Sequence, residues 1–443
     1  MKTTLSAPPG GWLGHLPALQ RDPLVFLAEC ARDYGPVAPL RFPAMSALLL
    51  LDADDIERVL VTDHQNFVKP IWLRTAAVRR LLGDGLVTTD GDDWRRQRRQ
   101  CQPAFLPHQI PAYGDTFAAL TGRMLSQWRR GQTRDVQSDM ARLTLEIVAR
   151  TMLGSDIAAQ AGEIGEAMDT VMACFGAKHR LFGLLPLPPS RREARAIGRL
   201  DALVDALIAE YRAGGAHQSD APLLGSLLSD PDQDPAYVRE QVKTFLAAGH
   251  ESSALALTWA FLLLARHPGA DARLARELDS VLGGRAPTQR DLPDLPYTLA
   301  VVKETLRLYP PLWMVGRTAV KDGVIGGFPA PRGALILTSP WAVQRSAQYF
   351  ADPDAFIPER WLDGSQARLP KYAYFPFGGG PRVCIGQNFA VMETTLLLAT
   401  IAARFRLEGS PDQDISPWAT MTLRPPPGIL MRLAERGAPR SVS

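Results

Sequence analysis

The chain has 443 residues, 46% of them hydrophobic and 21% charged, with a formal net charge of +3. That balance is ordinary for a globular protein and too weakly basic to point to nucleic acid. Four cysteines, at 30, 101, 174 and 384, show neither metal-ligand spacing nor a disulfide framework, which fits a reducing cytoplasm; residues 1–20 lack the apolar run of a signal peptide or membrane anchor.

No linker, repeat or low-complexity tract divides the sequence, so residues 1–443 read as one domain with 1–20 as a loosely ordered N-terminal segment. Short apolar runs at Pro39–Phe42 and Ala47–Leu51, separated by Pro43, predict a hairpin, and Asp54–Val61 a helix. Residues 69–90 have weak periodicity and glycines at 83 and 85, as a long loop from surface to pocket would. Helical spacing with polar stops predicts helices over Asp92–Gln100, Tyr113–Arg130, Ser138–Leu153, Ala161–Ala177, Arg191–Arg212, Pro235–Arg266 and Asp271–Leu282. Tyr297–Tyr309 is another, stopped by Pro310 and Pro311, and Gln387–Ala403 a last one. Val315–Val320 and Ala334–Thr338 read as strands fenced by Gly or Pro. The most apolar stretch, Ala254–Ala265, falls short of the ~20 residues a membrane span needs and reads as buried core. The fold class is mainly α with a smaller β portion.

Chemistry concentrates in Phe377-Gly378-Gly379-Gly380-Pro381-Arg382-Val383-Cys384-Ile385-Gly386. A lone thiol follows a helix-breaking loop and precedes a helix whose N-terminal dipole and free N–H groups favour a thiolate. The four glycines remove side chains where a flat partner would approach the backbone, Phe377 can shield the sulfur, and Arg382 adds a nearby cation. An axial sulfur ligand to haem iron accounts for all of this, although a buried core cysteine beside a loop would explain Cys384 taken alone.

The segment resembles the haem-binding loop of the cytochrome P450 superfamily, Phe-x-x-Gly-x-Arg/His-x-Cys-x-Gly, with Phe377, Gly380, Arg382, Cys384 and Gly386 at the fixed positions. Three further stretches resemble motifs of the same family in the expected chain order, so the likeness runs from about Gly35 to Leu433. It implies the P450 fold, haem b (iron protoporphyrin IX) and Cys384 as the iron ligand.

Glu304 and Arg307, spaced i and i+3, share a helix face. A solvated surface pair would be worth under ~1 kcal/mol. The family's Glu-x-x-Arg motif implies instead a buried network with Arg360 that holds the cysteine loop, where losing one partner costs roughly 3–5 kcal/mol. Trp94 and Arg98, at i and i+4, are similar to Trp-x-x-x-Arg, which meets a haem propionate; a guanidinium suits a carboxylate because it donates two parallel hydrogen bonds. Arg317 and Arg382 are further propionate partners by the same resemblance, whereas Arg95, Arg96 and Arg99 read as a solvated basic face able to dock an acidic electron donor.

Ala247-Ala248-Gly249-His250-Glu251-Ser252 places a glycine, an acid and a hydroxyl inside an apolar helix, a costly pattern for plain core. It resembles the family's Ala/Gly-Gly-x-Asp/Glu-Thr motif, where Ala248 and Gly249 lie against the haem, Glu251 relays protons and Ser252 hydrogen-bonds the oxygen under reduction. Serine replaces the usual threonine and lacks the methyl that limits its rotamers, which puts tight coupling of electrons to product in question. His250 is not taken as a ligand, since adjacent helical residues face different ways.

The resemblance implies a haem-thiolate monooxygenase that inserts one oxygen atom from O2 into a small lipophilic molecule, terpenoid, fatty acyl or polyketide-like. The pocket lining it implies includes Trp72, Leu86, Phe175, Phe245, Trp313 and Met421, although the same residues could be ordinary core. With no flavin or iron–sulfur segment, electrons are expected from a ferredoxin and its reductase or a flavodoxin-type donor. Two alternatives remain: a peroxide-using or oxidative-coupling haem-thiolate enzyme, which retention of Glu251 and Ser252 disfavours, and a catalytically silent recruitment protein, which would not need Cys384, Glu304 and Glu251.

Overall fold

A computed structural model describes residue 8 and residues 11–436, apart from 44, 180–189, 215–220, 231 and 411. Its helices are α1 (Leu16–Arg21), α2 (Pro23–Asp33), α3 (Ala53–Glu57), α4 (Ala76–Leu82), α5 (Gly91–Cys101), α6 (Gly114–Leu125), α7 (Val136–Leu153) and α8 (Ala161–His179). They continue with α9 (Arg191–Arg212), α10 (Pro222–Leu227), α11 (Pro235–Arg266), α12 (Pro268–Leu282), α13 (Pro296–Leu308), α14 (Pro340–Val343) and α15 (Gln387–Arg404). The strands are β1 (Val37–Phe42), β2 (Met45–Leu50), β3 (Phe67–Val68), β4 (Thr133–Asp135), β5 (Val315–Ala319), β6 (Gly323–Ile325), β7 (Phe328–Ala330) and β8 (Leu335–Thr338). Four more follow: β9 (Phe405–Gly409), β10 (Trp418–Ala419), β11 (Leu423–Arg424) and β12 (Leu430–Glu435).

The helix bounds that sequence predicts best are those with strong caps. The Ser190 side chain and Glu193 form a capping box at α9, and Asp234 accepts from the Ala236 N–H with Pro235 at the first position of α11. Such caps are worth about 1 kcal/mol each, and both helices begin where the sequence places them. Other expectations need correcting. The Asp54–Val61 helix is α-helical only to Glu57 and widens into a π turn over Arg58–Thr62. The stretch read as the 69–90 loop contains α4, and the Tyr113–Arg130 helix is shortened to α6.

The mainly α architecture holds. One sheet has the order β1-β2-β8-β5-β3, with β2 and β8 parallel and its other pairs antiparallel. A second has the order β4-β12-β9, and β6-β7 and β10-β11 are hairpins. One apolar core lies under the sheet around Leu27, Leu49 and Ile56; the larger lies among the helices around Phe117, Met140, Ile147 and Trp259. Helix α11 runs through the larger core and is buried on nearly all sides from Leu255 to Leu264, the pattern of a helix with no solvent face. It packs on α7, α13 and α15. The functional elements therefore converge from α11, the loop before α15, α5 and β5. No described helix is long and apolar enough to cross a membrane.

Candidate active site

The loop before α15 is shaped by its own packing. Gly380 has φ +67°, and a Cβ there would sit 1.8 Å from the Leu60 carbonyl oxygen; Gly378 has φ +71°, and a Cβ on Gly379 would strike the Tyr372 ring. Gly379 and Gly380 thus make room for neighbouring protein as well, and positive φ at Gly378 and Gly380 serves the turn. The turn is closed by the Cys384 N–H donating to the Phe377 carbonyl at 3.0 Å.

Cys384 presents open surface although protein surrounds it. Burial pushes its thiol above the ordinary range, against the Gly386 N–H and Arg98, both of which favour thiolate. The expected thiolate preference is therefore only the smaller part of the balance in the protein alone, and a metal on the sulfur would reverse it. Among the described residues no group of three or more His, Cys, Asp or Glu could hold a metal ion, so a metal at Cys384 must bring its other donors with it.

Opposite charges around the site are unequal. Arg98 Nη1 donates to the Val383 carbonyl at 2.8 Å, and Arg317 Nη1 to Gly316 at 2.8 Å. Arg382 lies 4.2 Å above the Trp94 ring, donates to the Thr89 carbonyl at 2.8 Å and pairs with Asp90. Lys69, which the motifs do not mark, joins them: burial, then Arg317 and Arg382, pull its ammonium down to about 7, with only Asp90 opposing. Burial and Arg382 likewise bring Arg317 down to about 10. Lys69, Arg317 and Arg382 share one acid and Arg98 adds a fourth cation, a deficit of negative charge that the two carboxylates of a haem edge would fill. The open thiol, the surplus cations and the need for outside nitrogen donors together fit haem.

Across the site, α11 supplies Ala248, exposed, and Gly249 and Ser252, partly exposed, within a helix otherwise buried here. A Cβ on Gly249 would press Val148 at 3.0 Å, so its glycine also serves the α11–α7 contact. Ser252 donates to the Ala248 carbonyl at 2.8 Å, and Glu251 is buried. His250 is turned into the core, with its Nδ1 2.7 Å from the Leu246 carbonyl oxygen, away from the open side of the helix, and burial lowers its pKa.

Glu304 and Arg307 are fully buried and joined by two 2.8 Å hydrogen bonds. Glu304 also accepts from Arg360 Nε at 3.0 Å, Trp361 Nε1 at 2.9 Å and the Ile357 N–H at 3.0 Å. Arg307 donates to the carbonyls of Gln344, Pro353 and Ala355. Gln344, unmarked by any motif, completes the link: its amide donates to the Leu306 and Arg307 carbonyls and its oxygen accepts from the Phe375 N–H, two residues before Phe377.

Pocket candidates scatter. Phe245 stacks on Phe105 at 5.6 Å and, like Leu86, sits in the helical core. Trp72 packs toward the sheet core, where a Cβ on Gly316 would meet its ring. Trp313 donates through Nε1 to the Thr420 carbonyl at 2.9 Å. The side chain of Phe175 lies outside the described residues. Met421 does face an apolar cluster, with Leu73 from the turn before α4 and Val78, Leu82, Ala167, Ala196 and Ala247 from α4, α8, α9 and α11.

A mainly helical fold with one open thiol before α15 and a cation-rich edge fits a haem protein. The cytochrome P450 family model matches residues 6–433, and the chain belongs to that family. It is 36% identical to cyclooctatin synthase of Streptomyces melanosporofaciens, covering 94% of this chain and 92% of the relative. It is 37% identical to cyclooctat-9-en-7-ol 5-monooxygenase of the same organism (90% and 88%), and 34% identical to pentalenene oxygenase of Streptomyces avermitilis (96% and 95%). The chain is a haem-dependent monooxygenase that uses O2 and a redox partner.

Proposed function

We propose that the chain oxygenates a terpenoid, with haem b held by Cys384 and electrons supplied in the cytoplasm by a ferredoxin and its reductase. The observation that carries the substrate class is the set of relatives named for cyclooctatin, cyclooctat-9-en-7-ol and pentalenene chemistry, at 34–37% identity over nearly the whole chain. The aliphatic cluster around Met421 supports it, because such a wall recognises a hydrocarbon by burial and shape rather than by hydrogen bonds.

When bound, haem supplies activation of O2 with a thiolate whose electron density favours O–O cleavage. The protein's own residues do the rest. Cys384 would hold the metal, Trp94, Arg98, Lys69, Arg317 and Arg382 would hold the propionates, and Ala248 and Gly249 would leave space for the group. Glu251 moves protons inward and Ser252 holds one beside the reacting oxygen, a contribution typically worth ~10²–10⁴-fold. The apolar wall orients the substrate and excludes bulk water. A groove of about 900 Å³ on the loop's side, bordered by Lys303, Lys371, Gly378 and Asn388, supports docking of an acidic donor there. By contrast, Arg95 and Arg96 are already paired with Asp92 and Asp93.

The test is a spectral screen of terpene hydrocarbons and alcohols against fatty acids and macrolactones for displacement of the metal-bound water. Product analysis with a surrogate ferredoxin system follows. Displacement and oxygenated product from terpenes are expected; turnover confined to fatty acids would overturn the substrate class.

A further inference from the structure

The hairpin β10–β11 is anchored from three directions. Trp313 Nε1 donates to the Thr420 carbonyl at 2.9 Å, Trp259 Nε1 to the Leu423 carbonyl at 3.1 Å, and the Leu423 N–H to the Pro311 carbonyl at 2.9 Å. From this fixed base two side chains reach α11. Thr422 Oγ1 donates to Glu251 Oε1 at 2.7 Å; Arg424 Nε donates to the same oxygen at 2.7 Å, and its Nη2 lies 2.5 Å away. The far side of that guanidinium, Nη1, is 3.3 Å from Asp169 Oδ1 on α8. Arg424 and Glu251 expose only 18% and 11% of their side chains, so the pair is shielded, whereas Asp169 exposes 73%.

We propose that Arg424, with Thr422, is a positioning residue for Glu251: the anchored hairpin sets which way the carboxylate faces, and Asp169 ties that setting to α8. Two hydrogen bonds and a further guanidinium contact on one oxygen select a single rotamer of an otherwise flexible side chain, and a planar guanidinium fixes direction in a way an ammonium does not. Glu251 delivers a proton only after turning from this clamp, so the strength of the clamp controls when it does. The inference rests on the reading of Glu251 as the relay acid.

The experiment uses the full haem-loaded chain with a plant-type ferredoxin and reductase, without added substrate. It measures the rate of O2 consumption, the fraction leaving as H2O2 and the solvent deuterium effect across pH. Glu251→Gln is expected to slow O2 consumption and enlarge the solvent effect. Arg424→Gln is expected to change rate and solvent effect by about tenfold or less, a part of the ~10²–10⁴-fold a positioned acid contributes, and to alter the pH profile. Arg424→Lys recovers part of this. The double variant matches Glu251→Gln, because both act through one group. The carbonyl spectrum stays as in the parent, which separates positioning from loss of haem, and any fall in melting temperature is shared by the conservative Arg424→Lys to a smaller degree. If Arg424→Gln fails to load haem, Arg424→Lys and Thr422→Val carry the same comparison. An Arg424→Gln enzyme with unchanged rate, solvent effect and pH profile, or an effect that adds to Glu251→Gln, overturns the proposal alone. An unchanged Glu251→Gln enzyme overturns the relay reading beneath it.

Discussion

Arg307→Met is the sharpest perturbation of the network behind the cysteine loop. The substitution removes two hydrogen bonds to Glu304 and three to backbone carbonyls, all in a place where both charged side chains are 0% exposed. Hydrogen bonds to charged groups contribute ~1.5–3 kcal/mol each, but these share one guanidinium and do not add. The larger effect is the stranded Glu304 carboxylate, for which breaking a buried pair costs ~3–5 kcal/mol. Arg360, Trp361 and the Ile357 N–H still reach that carboxylate and keep the cost within this range. Against a total stability of ~5–15 kcal/mol, the loss removes a large part of the margin and loosens Gln344, hence the Phe375 end of the loop.

The assay is urea unfolding together with the reduced, carbonyl-bound spectrum per mole of protein. Arg307→Met should lower the midpoint and lose most of the long-wavelength band. Adding Glu304→Gln to it should restore part of the stability, because the uncompensated charge is then gone. A single variant as stable and as pigmented as the parent would refute the network's role, and a double variant worse than the single would refute the charge argument.

Other expectations follow from single contacts. Gly380→Ala puts a methyl group against the Leu60 carbonyl at a positive φ, so haem content should fall sharply while the same change at Gly284, with nothing within 4 Å but φ +89°, costs only backbone strain; purified pigment ratios distinguish them. Lys69→Met removes one of four cations from the propionate edge and should speed haem transfer to a scavenging acceptor by ~10-fold, as one charged hydrogen bond warrants; an unchanged transfer rate would exclude Lys69 from that edge. Glu393, deep in α15, is pushed from 4.5 up to about 8 by burial, with one hydrogen bond from Ser253 at 2.5 Å and its Oε1 unpartnered. Between those two values the folded chain holds a proton that the unfolded chain has released, so Glu393 should make stability fall as pH rises through that window. Glu393→Gln should flatten that dependence in melting curves; an unaltered slope would show that Glu393 ionises freely.

What the sequence made legible was chemistry confined to one stretch of backbone. Glu304 with Arg307, Trp94 with Arg98 and the residues from Phe377 to Gly386 are set by helix or turn geometry, so their spacing alone brings them together. The same held for α9 and α11, whose starts are written in Ser190, Glu193, Asp234 and Pro235. Partners from distant segments left no such mark. Lys69 joins Arg317 and Arg382 only through the β3–β5 pairing, in which Val68 faces Thr318, and Gln344 reaches Phe375 across a turn. The second task of Gly379 and Gly380 was hidden for a related reason, because the groups they make room for, Tyr372 and Leu60, come from elsewhere in the chain.

Glu251 shows where this boundary matters for function. Its place on α11 is local and readable, but a carboxyl on a helix has several rotamers, and position on the helix alone does not say in which one it rests. The choice is made by Thr422 and Arg424, 171 and 173 residues further on, from a hairpin held in turn by Trp259 of α11 itself. The helix therefore carries both the acid and one anchor of the clamp that restrains it. A shift of the hairpin relative to α11 must break either the indole bond at Trp259 or the ion pair at Glu251. Acid and clamp consequently move together, and the sequence separation between them does not weaken that coupling.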